Sequence, residues 1–379
     1  MTVAALPAEA VIDLGAVRDN VRALRSAAPG SQLLAVVKAD GYGHGLLPCA
    51  RAALAGGADW LGVAFLSEAM ALRTAGITAP LLAWLVGPAE QLAPAVAAGV
   101  DLSVSAGWGI DAAVAAARET GIAARLHLKV DTGLSRGGAT AAEWPDLVAA
   151  AAKAQADGSV RIVGLWSHFA YADAPGHPTV AGQLRGFGAA LEVAERAGVR
   201  PELRHLANSA ATLTSAPAHF DLVRPGLAVY GLSPVPAVGG PERFGLRPAM
   251  TLVSSVALTK TVPAGSGVSY GHRYTTDRRT RLALVPLGYA DGIPRNATNV
   301  GELLLGGRRR RISGTVCMDQ FVVDVGDDEV IDGEEVVLFG PGDRGEPTAQ
   351  DWAEATGTIS YEIVTRIGAR VPRRYVGAE

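Results

Sequence analysis

The stretch with the clearest chemical promise is LLAVVKADGYGHG, in which Lys38 stands directly after Val36 and Val37. A buried lysine can lose its proton and act as an amine nucleophile, whereas an arginine stays charged. The chain has only four lysines (Lys38, Lys129, Lys153 and Lys260) against thirty arginines, so arginine supplies the surface charge and each lysine stands out. At a strand end, walled by apolar neighbours, Lys38 is placed to form a Schiff base with an aldehyde cofactor. Gly41, Gly43 and Gly45 then let the backbone turn tightly against a ligand. Two further stretches, HLANSAA at 205–211 and VRPGLAVYG at 223–231, offer an anion site. Asn208 and Ser209 stand where a helix would begin, and Gly226 after Pro225 frees the amides of Gly226 and Leu227.

Apolar, β-branched runs that would carry these residues recur at 33–37, 60–65, 81–86, 101–105, 125–130, 162–167, 203–207 and 222–230. Ala-rich stretches of helical period lie between them, at 16–28, 67–75, 111–119 and 180–197. Eight such units over about 230 residues match a (β/α)8 barrel of the TIM type, with a doubly wound open sheet as the other arrangement. In a barrel, Lys38 ends the first strand on the catalytic face, and the polar turn at 205–211 and the glycine-bearing turn at 223–231 follow the last two strands, where this fold binds phosphate. A Schiff-base lysine combined with a phosphate site points to pyridoxal 5'-phosphate.

The rhythm changes after Gly231. Residues 233–248 are rich in Pro and Gly, and short alternating runs follow at 251–260, 281–285, 303–305, 312–325 and 334–339, with one helix expected over 348–355. The division is thus a barrel domain over 1–240 and a mostly β domain over 241–379. The net charge of −3 leaves no basic field for nucleic acid. The charge-free runs are too short for a membrane helix, and MTVAALPAEAVIDL does not read as a secretion signal. Cys49 and Cys317 make no disulfide framework. A cytoplasmic protein is expected.

The chain resembles the alanine racemases along essentially its whole length. The blocks that carry the resemblance are AVVKADGYGHG (35–45), KVDTGLSRGG (129–138), WSHFAYAD (166–173), HLANSAAT (205–212), VRPGLAVYGL (223–232), GVSYGHRY (267–274), PLGYADGIPR (286–295), CMDQ (317–320) and SYEI (360–363). The resemblance implies a racemase that interconverts L- and D-alanine with pyridoxal phosphate, and that supplies D-alanine for peptidoglycan. It also implies a homodimer with composite sites. Lys38 holds the cofactor and serves the D face of the substrate, and Tyr270 of the partner subunit serves the L face. A base on each side is the simplest way to move a proton across a planar carbon centre. Arg224 faces the pyridine nitrogen, where decarboxylases and aminotransferases place a carboxylate, and His168 resembles a histidine near the tyrosine.

The implied cofactor set is Lys38, Tyr42, Arg136, His205, Asn208, Ser209, Arg224, Gly226, Leu227 and Tyr361, with no metal. The resemblance also implies that Arg136 and the backbone amide of Met318 of the partner subunit bind the substrate carboxylate. Lys129 matches a lysine carbamylated in some members, and Tyr289 and Arg295 resemble entrance residues. The competing readings are a same-fold enzyme acting on serine or lysine, a decarboxylase, and a protein that only binds pyridoxal phosphate or an alanine-like antibiotic. Arg224 and Tyr270 speak against the decarboxylase, and the second domain speaks against a carrier consisting of the barrel alone.

Overall fold

The computed structural model describes residues 8–377. The stretch read for a secretion signal begins in Met1–Pro7, outside the described residues. The chain forms two compact units. A barrel unit comprises residues 17–41 and 46–246, and a β unit comprises the described residues up to Ala16, Tyr42–Gly45, and residues from Arg247 onward. No helix among the described residues is long and apolar enough to cross a membrane.

The first strand, β1 (Ala8–Asp13), does not join the barrel. It runs antiparallel to a later strand of the β unit, Met250–Ser255, and parallel to Arg373–Val376. Its alternating burial suits a sheet with one covered face, whereas the barrel strands are buried along nearly their whole length. The barrel strands are β2 (Gln32–Val36), β3 (Trp60–Val63), β4 (Leu81–Ala83), β5 (Asp101–Val104), β6 (Ala124–Lys129), β7 (Val160–Trp166), β8 (Leu203–His205) and β9 (Leu222–Val223). They pair in parallel in the order β8-β7-β6-β5-β4-β3-β2-β9. The backbone bonds Asp221 N–H to Arg204 O (3.0 Å) and Arg224 N–H to Ala207 O (2.9 Å) bring β9 back to β8. The eight expected strands are all present, but the last is far shorter than the run at 222–230. Pro225 has no N–H for a ladder, and Leu227–Tyr230 coils into a 3-10 turn instead.

In the β unit, the run at 251–260 splits into β10 (Met250–Ser255) and β11 (Leu258–Val262), which belong to different sheets. The run at 312–325 is a strand only from Phe321 to Gly326, leaving the CMDQ block in a loop. The expected late helix forms over Ala349–Thr356, capped by the Thr348 hydroxyl and Asp351 in a reciprocal box. Its Trp352 is buried and donates to Leu338 O at 2.7 Å.

Candidate active site

Lys38 leaves the barrel at the C-terminal end of β2 into a turn of unusual handedness. Ala39, Asp40 and Gly41 all have φ between 52° and 61° with ψ between 42° and 50°, a single left-handed helical turn. Each non-glycine residue in that conformation costs about 1–2 kcal/mol, so the surroundings must hold it. Glu68 does so: its carboxylate accepts the Ala39 amide at 2.6 Å and the Ala64 and Phe65 amides at 2.8 and 3.1 Å. Asp40 closes the turn by accepting the Leu46 amide at 2.7 Å. Burial lowers the pKa of Lys38, the Arg136 charge lowers it further, and Glu68 opposes both. The strand-end lysine thus sits where its amine can shed a proton, as a Schiff-base residue must.

Arg136 is carried by the 131–138 loop. Asp131 organises that loop by accepting the amides of Gly133, Leu134 and Ser135 on one oxygen, Oδ1, at 2.8, 3.0 and 3.2 Å. Lys129, at the end of β6, is buried. Its pKa falls to about 8, first from burial, then from the Arg224 and Arg136 charges, with Asp131 acting against them. The ammonium group lies over the Trp166 ring at 4.4 Å, and the Arg224 guanidinium lies over the same ring at 4.7 Å.

Arg224 is the most confined of these cations. It donates to Ser167 O (2.8 Å), Leu206 O (3.3 Å), His205 Nδ1 (3.1 Å) and His168 Nδ1 (3.3 Å). All four of these acceptors are neutral, and burial lowers the Arg224 pKa to about 9. His168 is pushed well below the usual histidine range by burial and by the charges of Arg224, Arg136, Lys129 and Lys38. One imidazole therefore feels four cations. Asn208 caps the short helix Ser209–Thr214 by accepting the Ala211 amide at 3.0 Å. The Gly226 amide, expected to face a ligand, is turned onto Ser209 Oγ at 2.8 Å, with the Ala228 amide at 3.3 Å.

The remaining expected residues belong to the β unit. Tyr42 and Tyr361 pack with ring centroids 6.2 Å apart, and burial with the neighbouring phenol raises the Tyr42 pKa. Their loop is seated by Arg373 Nε donating to Gly43 O at 3.0 Å. A side chain at Gly43 would strike the Val364 carbonyl. Tyr270, Met318 and Tyr289 are exposed at 76%, 53% and 41%. They form one patch: the Tyr289 and Ala290 amides donate to Cys317 O and Met318 O, both at 3.0 Å, and Ser269 Oγ lies 3.3 Å from Cys317 Sγ. Ser269, Gly271 and His272 have φ of 59°, 71° and 47°. Tyr270 is held up on this tight turn by Thr315 Oγ1 donating to its carbonyl at 2.7 Å. Arg295 is also exposed.

Sequence reasoning overlooked Glu68, Asp101, His127 and Trp166. Asp101 and His127 carried a signal, because each is an ionisable residue at a buried position of a barrel strand (DLSV and ARLHLK). Glu68 gave none, since a glutamate in the first turn of a helix is ordinary.

The cationic donor set, two lysines and two arginines with few acids among them, fits a phosphorylated aldehyde such as pyridoxal phosphate. It offers an amine to the carbonyl and positive charge to the phenolic oxygen.

Two family models match the chain: "Alanine racemase, N-terminal domain" over residues 12–234 and "Alanine racemase, C-terminal domain" over 249–375. An alanine racemase of Frankia casuarinae is 68% identical over 367 residues, covering 97% of this chain and 96% of its own. Among solved structures, the alanine racemase of D-cycloserine-producing Streptomyces lavendulae aligns with a TM-score of 0.98 at 57% identity, covering 99% of this chain and 98% of its own. That of Streptomyces coelicolor aligns with a TM-score of 0.97 at 59% identity, covering 98% of each chain.

Proposed function

The chain belongs to the alanine racemase family, and from that premise we propose that it interconverts L- and D-alanine with pyridoxal phosphate, supplying D-alanine for peptidoglycan. The observation that carries this reading is the cationic cluster around His168, formed by the buried Arg224 and Lys129 with Arg136 and Lys38, and the Lys38 amine, its pKa lowered, at the end of the first barrel strand. Lys38, Arg136, His205, Asn208, Ser209, Arg224, Gly226 and Leu227 would hold the cofactor, joined by Tyr42 and Tyr361. When bound, the cofactor supplies the electron sink that makes the α-proton of alanine acidic.

The chain's own residues then move the proton. Lys38 Nζ takes it from or returns it to the D face, and Tyr270 Oη of the partner subunit does so on the L face. Arg136 and the backbone amide of Met318 of the partner subunit hold the carboxylate, and Tyr289 and Arg295 border the entrance. Arg224, a fixed donor, would keep the pyridine nitrogen free of a proton, since a guanidinium accepts none. The exposure of Tyr270 and Met318 on one patch supports their action across a homodimer interface.

The test is the purified protein with L-alanine and a chiral assay for D-alanine. Formation of D-alanine toward equal amounts is expected, and its absence would overturn the reading. Tyr270→Phe should slow the L-to-D direction more than the reverse. An active monomer at assay concentration would refute the composite site.

A further inference from the structure

A continuous line of polar side chains runs through the barrel unit beneath the cationic cluster, from the strand beginnings to the strand ends. Arg125, near the start of β6, grips Asp101, the first residue of β5, through Nε (2.7 Å) and Nη2 (3.1 Å). Asp101 Oδ2 meets His127 Nε2 at 3.1 Å, His127 Nδ1 meets His205 Nε2 at 2.8 Å, and His205 Nδ1 meets Arg224 Nη1 at 3.1 Å. Asp101, His127 and His205 are essentially without solvent contact.

Every proton in this line has one possible place. A guanidinium only donates, so His205 Nδ1 must accept, and its own proton stands on Nε2. That proton goes to His127 Nδ1, which therefore also accepts. The His127 proton stands on Nε2 and points at the Asp101 carboxylate. Both rings are then neutral, and the charges sit only at the two ends, on Arg224 and on Asp101 with Arg125. The surroundings agree. Burial holds His205 well below the usual histidine range, with the Arg224 charge adding to this. Burial works against the Asp101 carboxylate, but the bonds from His127 and Arg125 outweigh it, and its pKa lies below the usual value.

The barrel is also shaped for this line. Trp166 stacks on His205 (centroids 5.7 Å apart, planes 6° apart), and Trp60 meets His127 edge-on at 5.7 Å. A shift in the pairing of β6 with β7 places Gly164 opposite His127, where any side chain would be driven into the imidazole at its bond to His205.

Resting on the function proposed above, we propose that Asp101 and His127 are positioning residues for racemisation: they fix the His205 tautomer, so that its Nδ1 lone pair aims the Arg224 guanidinium. The test is histidine 15N NMR on the holoenzyme, whose seven histidines are few enough to assign with the single variants His127→Asn and His205→Asn. Both rings should read neutral with the proton on Nε2, and an Nδ1-protonated or charged ring at either position overturns the proposal. In Asp101→Asn the amide can hand a proton to His127 Nε2. The His205 spectrum should then gain the Nδ1–H form, and kcat should fall about tenfold with KM changed less than about twofold, the scale seen when groups that orient a ligand are removed.

A fall in kcat with an unchanged His205 spectrum overturns the positioning role, as does a changed spectrum with unchanged kcat. If Asp101→Asn does not fold, the spectrum of the unaltered protein decides. A holoenzyme that makes no D-alanine overturns the underlying function, while its histidine tautomers still decide the proton line.

Discussion

Lys129 offers the sharpest quantitative test of the electrostatics. Its pKa of about 8, against 10.5 for an ordinary lysine, comes first from burial and then from the Arg224 and Arg136 charges. At pH 7 a group with that pKa is neutral in about 10% of molecules, against about 0.03% for an ordinary lysine, a ratio of about 300. Only the neutral amine attacks cyanate, a reagent small enough to enter a confined site. With four lysines in the chain, peptide mass spectrometry can follow all of them at once. In protein freed of cofactor by a carbonyl-trapping amine, Lys129 should be carbamoylated about two orders of magnitude faster than Lys153 and Lys260 at pH 7. The gap should narrow steadily above pH 8 as the surface lysines catch up. The same shift carries a stability signature. Between about pH 8 and 10.5 the unfolded chain binds more protons at this site than the folded one, so the site's contribution to stability rises with pH, by about 3 kcal/mol in all. A Lys129 labelling rate within a few-fold of Lys153 and Lys260 would refute the picture of a desolvated amine between two arginines. The same neutral fraction is what reaction with carbon dioxide would draw on, which links this measurement to the carbamylation suggested by the KVDTG block.

Three further outcomes follow from the geometry. Asp131→Asn keeps the Oδ1 acceptor for all three loop amides but removes the charge that raises the Lys129 pKa, so cyanate should label Lys129 faster while urea stability stays nearly unchanged. Glu68→Gln replaces one amide-accepting oxygen by a donor, at a cost of about 1–3 kcal/mol in urea unfolding, and removes the charge that raises the Lys38 pKa. Labelling of Lys38 in the cofactor-free protein should therefore accelerate, and slower labelling would count against the assignment. Gly164→Ala drives a methyl group into the His127 ring and should lower stability by about 1–3 kcal/mol, read as an earlier urea midpoint.

What could be read from the chain followed from how locally each feature is encoded. The barrel was legible because its strands are mostly buried on both sides and read as largely apolar runs, and the residues at their ends, Lys38 and Lys129, stand out by type alone. The β unit was less legible because its strands alternate and bend. The run at 251–260 reads as one strand, yet its two halves pair with different sheets, β10 with Glu335–Phe339 and β11 with Thr280–Val285. The N-terminal strand gave no warning that it would pair with Met250–Ser255, more than 230 residues away, because such pairing depends on partners that no local window contains.

The same distinction governs the candidate site. Several of its outer residues lie in glycine-marked turns and can be found by motif, whereas Asp101 and His127 lie within barrel strands and show themselves only as polar letters at buried positions. Such letters are costly to bury and survive only where every proton and lone pair finds a partner. Asp101, His127, His205 and Arg224 meet that condition with a single arrangement of protons, so the polar interior specifies one orientation of Arg224 where an apolar core would leave several.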